Sequence, residues 1–219
     1  SIQDVRISIS AVTSDQIAVR GVTSLQDMQY SIPGLSSFRY GPGGQEYIQM
    51  RGISNSAGAQ TVGQYLDEVP IISDIQGQGL DIRLLDMERV EVLRGPQATL
   101  YREGSMGGTV RYITASPDLG GFAGAVEGET GAVSGGGWSN KAAGMLNAPF
   151  VEDVLGVRLV AGYERAAGWI DNSVTGQDDV NEASIRTFRG KVAAKLGDRG
   201  SLSVLALHQD SDQDYHNFG

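Results

Sequence analysis

The 219-residue sequence contains no cysteine, so neither a disulfide framework nor a thiolate metal site can be built from it. It has only two histidines, His208 and His216, both near the C-terminal end. No glycine-flanked serine elbow lies near them, so no nucleophile–base constellation supports an enzymatic reading. The phosphate-cradling pattern G-x-x-x-x-G-K-[ST] is missing as well. Apolar runs are short, and none approaches the ~18–20 residues of a membrane-spanning helix. Positive charge is in deficit: 17 Lys and Arg against 26 Asp and Glu give a net charge of −9, which argues against nucleic acid as a partner. The first residues lack a charged and apolar leader, and the last follow an acidic run, so the chain reads as a piece of a longer protein.

What the sequence has is glycine, 31 residues of it, and alternation. Val5, Ile7, Ile9 and Ala11 alternate with polar residues at the period of a half-buried strand. Ser14 or Asp15 can cap a short helix through about Val19, and Thr23 or Ser24, with Gln26 or Asp27 following, a second that ends near Ser31 before Pro33 and Gly34. Strands are predicted over Glu46–Gly52, Val62–Ile71, Met87–Arg94 and up to Thr114, with one or two helical turns over Leu80–Asp86. Turn-rich segments separate them: Arg39–Gln45, Asn55–Gln60 and Ser73–Gly79. In Met87–Arg94, Val90 and Val92 share a face; after Gly107 and Gly108, Val110 and Tyr112 do the same. The expected product is a small α+β unit of about four strands with glycine-rich loops.

From Gly120 the character changes to long alternating strands: Phe122–Gly131, Trp138–Phe150, Leu155–Trp169, Ile185–Leu196 and one starting at Ser201 that fades after His208. The connections run longer, short, long, short. In Ile185–Leu196, Phe188, Gly190, Val192, Ala194 and Leu196 point one way and Arg189, Lys191 and Lys195 the other. Phe122, Trp138, Phe150 and Trp169 sit near strand ends. A membrane barrel has this asymmetry and these aromatics, but alternation alone suits a soluble sandwich equally well.

The string MERVEVLRGPQATLYREGSMGGTVRYIT (Met87–Thr114) resembles the end of the plug in TonB-dependent outer-membrane receptors, with Arg102 where that family usually has Gly. YIQMRGI and VGQYLDEVPI resemble its two central plug motifs, and SIQDVRISISAVTSDQI its first plug strand and helix. The resemblance implies an α+β plug over residues 1–117, followed over 118–219 by about five antiparallel transmembrane strands of a barrel that the family builds from about 22. It implies a Gram-negative outer-membrane location in contact with lipid, no enzymatic activity, no cofactor, and import of a scarce ligand driven by the TonB complex through a segment upstream of these residues. The ligand class it implies first is a ferric siderophore or other iron complex, a small-molecule chelate. Import of cobalamin, haem or oligosaccharide, or ligand sensing without import, are the alternatives.

Site residues follow from the same resemblance. The loops holding Arg39 and Tyr40, Gln60, and Asp74 and Gln76 occupy the plug apices that touch substrate, and these side chains offer donors, acceptors and an aromatic face. Arg51 and Arg94, each ending a strand at an Arg-Gly step, correspond to arginines that latch the plug to barrel glutamates. Asp210, Asp212 and Asp214 open like a calcium loop, but Tyr215 stands where that loop needs Gly, so no metal site is assigned.

Overall fold

The computed structural model describes residues 8–39, 46–54, 59–72, 79–95, 105–132, 134, 136–171, 173–197 and 199–213. The chain divides into two compact units, one of residues 1–40 and 45–115, the other of residues 41–44 and 116–219.

The first unit begins with β1 (Ser8–Thr13), which leads directly into α1 (Ser14–Arg20). Thr13 rather than Ser14 is the cap; its N–H donates to Gln16 Oε1 at 3.2 Å. Gly21 ends the helix at φ +61°, in the left-handed region where glycine carries no Cβ penalty. The next helix, α2 (Leu25–Met28), is shorter than predicted, because beyond Met28 the chain turns toward Gly34. Its cap is strong: Asp27 Oδ2 accepts from the N–H and hydroxyl of both Thr23 and Ser24, at 2.9–3.0 Å. Burial pushes this carboxyl up, but those donors outweigh it and hold the pKa below the usual carboxylate value.

Among the described residues the unit has seven strands, β1 included, rather than about four. β2 (Leu35–Arg39) and β3 (Glu46–Met50) form a separate hairpin. β3 stops at Met50, two residues earlier than its pattern suggests, because Arg51 and Gly52 turn with φ +52° and +80°. Residues 62–71 are a hairpin rather than one strand: β4 (Val62–Leu66) pairs with β5 (Val69–Ile71) around Asp67, whose φ is +51° and whose N–H donates to the Tyr112 carbonyl at 2.7 Å. β6 (Met87–Arg94) and β7 (Gly108–Thr114) then complete a sheet of order β1-β6-β7-β4-β5, in which only β7 and β4 are parallel.

Val90, Val92, Val110 and Tyr112 are fully buried on one face of this sheet. The other face carries a run of ion pairs, with Arg111 between Glu91 (2.7 Å) and Glu68 (2.6 Å), and Arg89 on Glu91 (2.8 Å). Leu80–Asp86 forms no helix. The Leu84 N–H is taken by Thr23 O at 3.0 Å and the Leu80 carbonyl by Gln64 Nε2 at 3.1 Å, so both groups of the first helical bond are committed elsewhere.

The second unit is one antiparallel meander of β8 (Ala123–Ala132), β9 (Trp138–Val151), β10 (Leu155–Ala166), β11 (Ala183–Leu196) and β12 (Gly200–Gln213). β12 does not fade at His208. It stays paired with β11 as far as Gln213↔Ala183, which puts Asp210 and Asp212 on a strand rather than in a loop. Asn147, fully buried on β9, holds the segment that precedes β8: it accepts from Asp118 N–H and donates to the carbonyls of Asp118 and Gly121, at 2.7–2.9 Å. Gly156 on β10 lies against the same segment, where a Cβ would sit 2.9 Å from Leu119 Cδ2.

Candidate functional site

The loops predicted to face a ligand have their bases in the first unit. Tyr40, Asp74 and Gln76 lie outside the described residues. Arg39 is the last residue of β2, and Gln60 is half-buried just before β4. Glu46, which follows the 40–45 loop, and Gly79, which follows the 73–78 loop, pair through backbone hydrogen bonds of 2.7 and 3.4 Å. The Gly107 N–H donates to Thr61 O at 2.8 Å and its carbonyl accepts from Gly95 N–H at 3.0 Å, which joins the bases of two further connections. Backbone pairing at Glu46 and Gly79 thus joins the ends of two of the glycine-rich segments.

Beneath it lies a set of buried polar side chains that pattern reading missed. Ser37 donates to Glu46, and Gln64 Nε2 donates to Tyr112 Oη at 3.0 Å and to Leu80 O at 3.1 Å. Burial first, and the Glu46 carboxylate second, push the Tyr112 hydroxyl well above the usual phenol range, so it remains a neutral hydrogen-bonding group. The signal was present as one polar residue, Gln64, inside the otherwise apolar β4.

The two arginines meet at one turn. Arg51 is exposed, and its N–H donates to Gly34 O at 2.8 Å; Arg94 Nη1 reaches Pro33 O at 3.3 Å, and Nη2 reaches Ser10 Oγ on β1 at 3.0 Å. Arg94 Nε is buried and has no hydrogen-bond partner among the described residues.

The wall of the second unit is decisive about the medium. Along β11, Arg189 and Lys191 are 6% and 7% exposed, whereas Phe188 between the same neighbours is 55% exposed. The register extends both faces across the sheet. Val126, Leu146, Leu159 and Val204 align with Phe188 and Val192 on the exposed side, and Lys141, Asn147, Arg158 and Glu164 align with Arg189 and Lys191 on the other. Water would drive the opposite arrangement; charge inside and a largely apolar face outside, with His208 beside Phe188 as a polar member, is the pattern of a barrel wall in lipid. Exposed Trp138 and Trp169 sit at the end with the long connections, and Phe122 and Phe150 at the end with the short ones, one girdle at each boundary. No helix among the described residues is long and apolar enough to cross a membrane, which says nothing of strands.

Residues 1–109 match the family model described as the TonB-dependent receptor plug domain. The structure as a whole superposes on the ferric yersiniabactin uptake receptor FyuA of Yersinia pestis with a TM-score of 0.79 and 25% identity, over 95% of this chain and 32% of that one. The chain belongs to the TonB-dependent outer-membrane receptors. Among curated receptors, it is 32% identical over 114 residues to the pesticin receptor of Yersinia pestis, covering 51% of this chain and 16% of the relative. A match to the vitamin B12 transporter BtuB of Vibrio vulnificus, at 28% identity, runs over 96% of this chain and 33% of the relative. The chain thus spans a third or less of the length of these TonB-dependent relatives. Its mixed α+β unit and its antiparallel wall are those of a plug and an unclosed barrel, and its place is the outer membrane of a Gram-negative cell.

Proposed function

We propose that residues 1–117 are the plug and residues 118–219 the first part of the barrel of an energy-coupled importer, one that moves a scarce ligand across the outer membrane without chemical change. The observation that carries this reading is the inverted wall, with Arg189 and Lys191 buried and Phe188 exposed, in a chain whose other unit has the plug pattern. An iron complex is the favoured ligand, because similar receptors include those named for ferrioxamine B, ferrichrome and hemin. The B12 transporter, matched over nearly the whole chain, supports cobalamin as a second reading. Arg39, Tyr40, Gln60, Asp74 and Gln76 are assigned to ligand contact, and the TonB complex to the driving partner.

The test is uptake by the full-length receptor of three probes: a ferric trihydroxamate, haem and cyanocobalamin. Accumulation of an iron probe that collapses when the proton-motive force is dissipated is the expected result. Accumulation of cyanocobalamin alone selects the second reading, and binding without energised uptake of any probe points to a sensing receptor.

Arg51 and Arg94 are assigned to the latch between plug and barrel. With Nη1 and Nη2 of Arg94 each engaging one described acceptor, the guanidinium keeps further N–H donors for a carboxylate, a geometry that Lys cannot supply bidentately. Arg94→Ala is expected to raise ion leak and sensitivity to large antibiotics, with a cost of roughly 3–5 kcal/mol where the carboxylate partner is buried. Arg199→Ala, an exposed control in the turn between β11 and β12, should change neither. Lost ligand binding with unchanged leak would move Arg94 from the latch to the ligand site.

A further inference from the structure

β4 is buried along its whole length, and Gln64 at its centre is 1% exposed. A carboxamide in that position is stable only when both of its polar groups find partners. Gln64 finds them largely on one residue. Its Oε1 accepts from the Leu80 N–H at 2.9 Å, and its Nε2 donates to the Leu80 carbonyl at 3.1 Å. A neighbouring strand would offer Leu80 the same pair of bonds, one acceptor and one donor at one residue. The second hydrogen on Nε2 goes to Tyr112 Oη at 3.0 Å, so a fully buried residue of β7 orients the carboxamide.

The approach is tight. A Cβ on Gly79 would stand 2.5 Å from Gln64 Oε1 and 3.1 Å from Ile48 Cδ1, so glycine is needed where the 73–78 loop rejoins the described chain. From Leu80 to Asp86 there is no strand, yet residues 81–84 are buried. Backbone partners hold the two ends of residues 79–84, Glu46 at Gly79 and Thr23 at Leu84; at Leu80 a side chain takes that place.

We propose that Gln64 is a positioning residue: its carboxamide stands in for a strand edge at Leu80, completes the seat of residues 79–84 between the backbone bonds at Gly79 and Leu84, and thereby helps fix where the 73–78 loop is anchored. Its importance for transport rests on reading that loop as ligand-facing; the seat itself does not.

Amide hydrogen exchange on the full-length receptor in detergent, with no ligand present, tests the seat alone, so failure of the transport reading leaves this test intact. Gln64→Leu keeps the side chain's approximate volume and removes both polar groups. It is expected to speed exchange at Leu80 by roughly ten- to a hundredfold, while the amides of β6 and β7 change by no more than about threefold. Tyr112→Phe removes the orienting hydroxyl but neither Leu80 bond, and should leave Leu80 exchange within about threefold. If Gln64→Leu does not accumulate, Gln64→Asn, one methylene too short to reach, carries the same expectation. Uniform acceleration through β4, β6 and β7 would reduce Gln64 to a contributor to general core stability and overturn the proposal. Unchanged exchange at Leu80 would overturn it equally.

Discussion

Gly108→Ala is expected to disable the plug, with exchange at the β6 and β7 amides of the full-length receptor rising to the level of a locally unfolded sheet. Gly108 begins β7 and faces Arg94 across the ladder. An added Cβ would lie 2.3 Å from the Leu93 carbonyl oxygen and 2.2 Å from Met50 Sδ. The thioether can swing away, but the carbonyl belongs to the backbone of the neighbouring strand and moves only if the sheet parts. Backbone conformation adds to the clash, since φ at this residue is +154°. The loss should reach about 3 kcal/mol or more, a large share of the stability of a small domain. Gly21→Ala supplies the comparison. Gly21 has φ +61° but nothing within 4 Å of the added carbon, so only the left-handed conformation is penalised, by about 1–2 kcal/mol. Equal losses at the two positions would show that close packing at Gly108 is not what matters.

The second large effect is expected on the wall. Phe188 lies in the apolar face of β11, opposite Ala161 on one side and His208 on the other. Phe188→Arg places a guanidinium toward hydrocarbon, where a charge near the midplane costs roughly 2–4 kcal/mol. The full-length receptor carrying it should fold into vesicles with a correspondingly smaller free energy and accumulate poorly in the outer membrane. Arg186→Ala, at the polar margin of the same face, serves as the control, because its only described ion pair is a 4.0 Å contact with Asp210 between two exposed side chains. If Phe188→Arg were tolerated as well as Arg186→Ala, the exposed face would not be in lipid.

The sequence singled out the assigned arginines because their signals are local. Arg51 and Arg94 stand out as arginines before glycine; Arg94 ends β6 as the pattern placed it, whereas Arg51 lies in the turn just past β3. That they meet at the Pro33–Gly34 turn was not legible, since 61 residues separate Arg94 from the carbonyl it reaches. Gln64 was passed over for a similar reason. A single amide in VGQYL carries no periodic signal, and its meaning depends on Leu80, which the chain brings alongside only when folded. The hairpin at Asp67 was read as one strand because apolar residues resume at Val69 after Asp67 and Glu68, although the backbone, at φ +51°, reverses direction there.

By itself the sequence determined both short helices and most of the longer strands, through alternation, capping residues, proline and glycine, but not β2, the break at Asp67 or the irregular path of residues 80–86. It also determined, through the Met87–Thr114 string, the family whose plug model the chain matches. These are properties of a few adjacent residues, which is why they survive without coordinates. Which face of the long strands is outside was decided only by the tertiary structure. An alternating strand is symmetric between a soluble sheet and a membrane wall, and the direction of burial separates them: Lys191 is buried and Phe188 exposed. The seat of residues 79–84 was likewise decided there, because a segment whose donors could form a helical turn takes instead the partners that Thr23 and Gln64 present. In both cases the free energy lies in contacts between distant parts of the chain, or between the chain and its solvent.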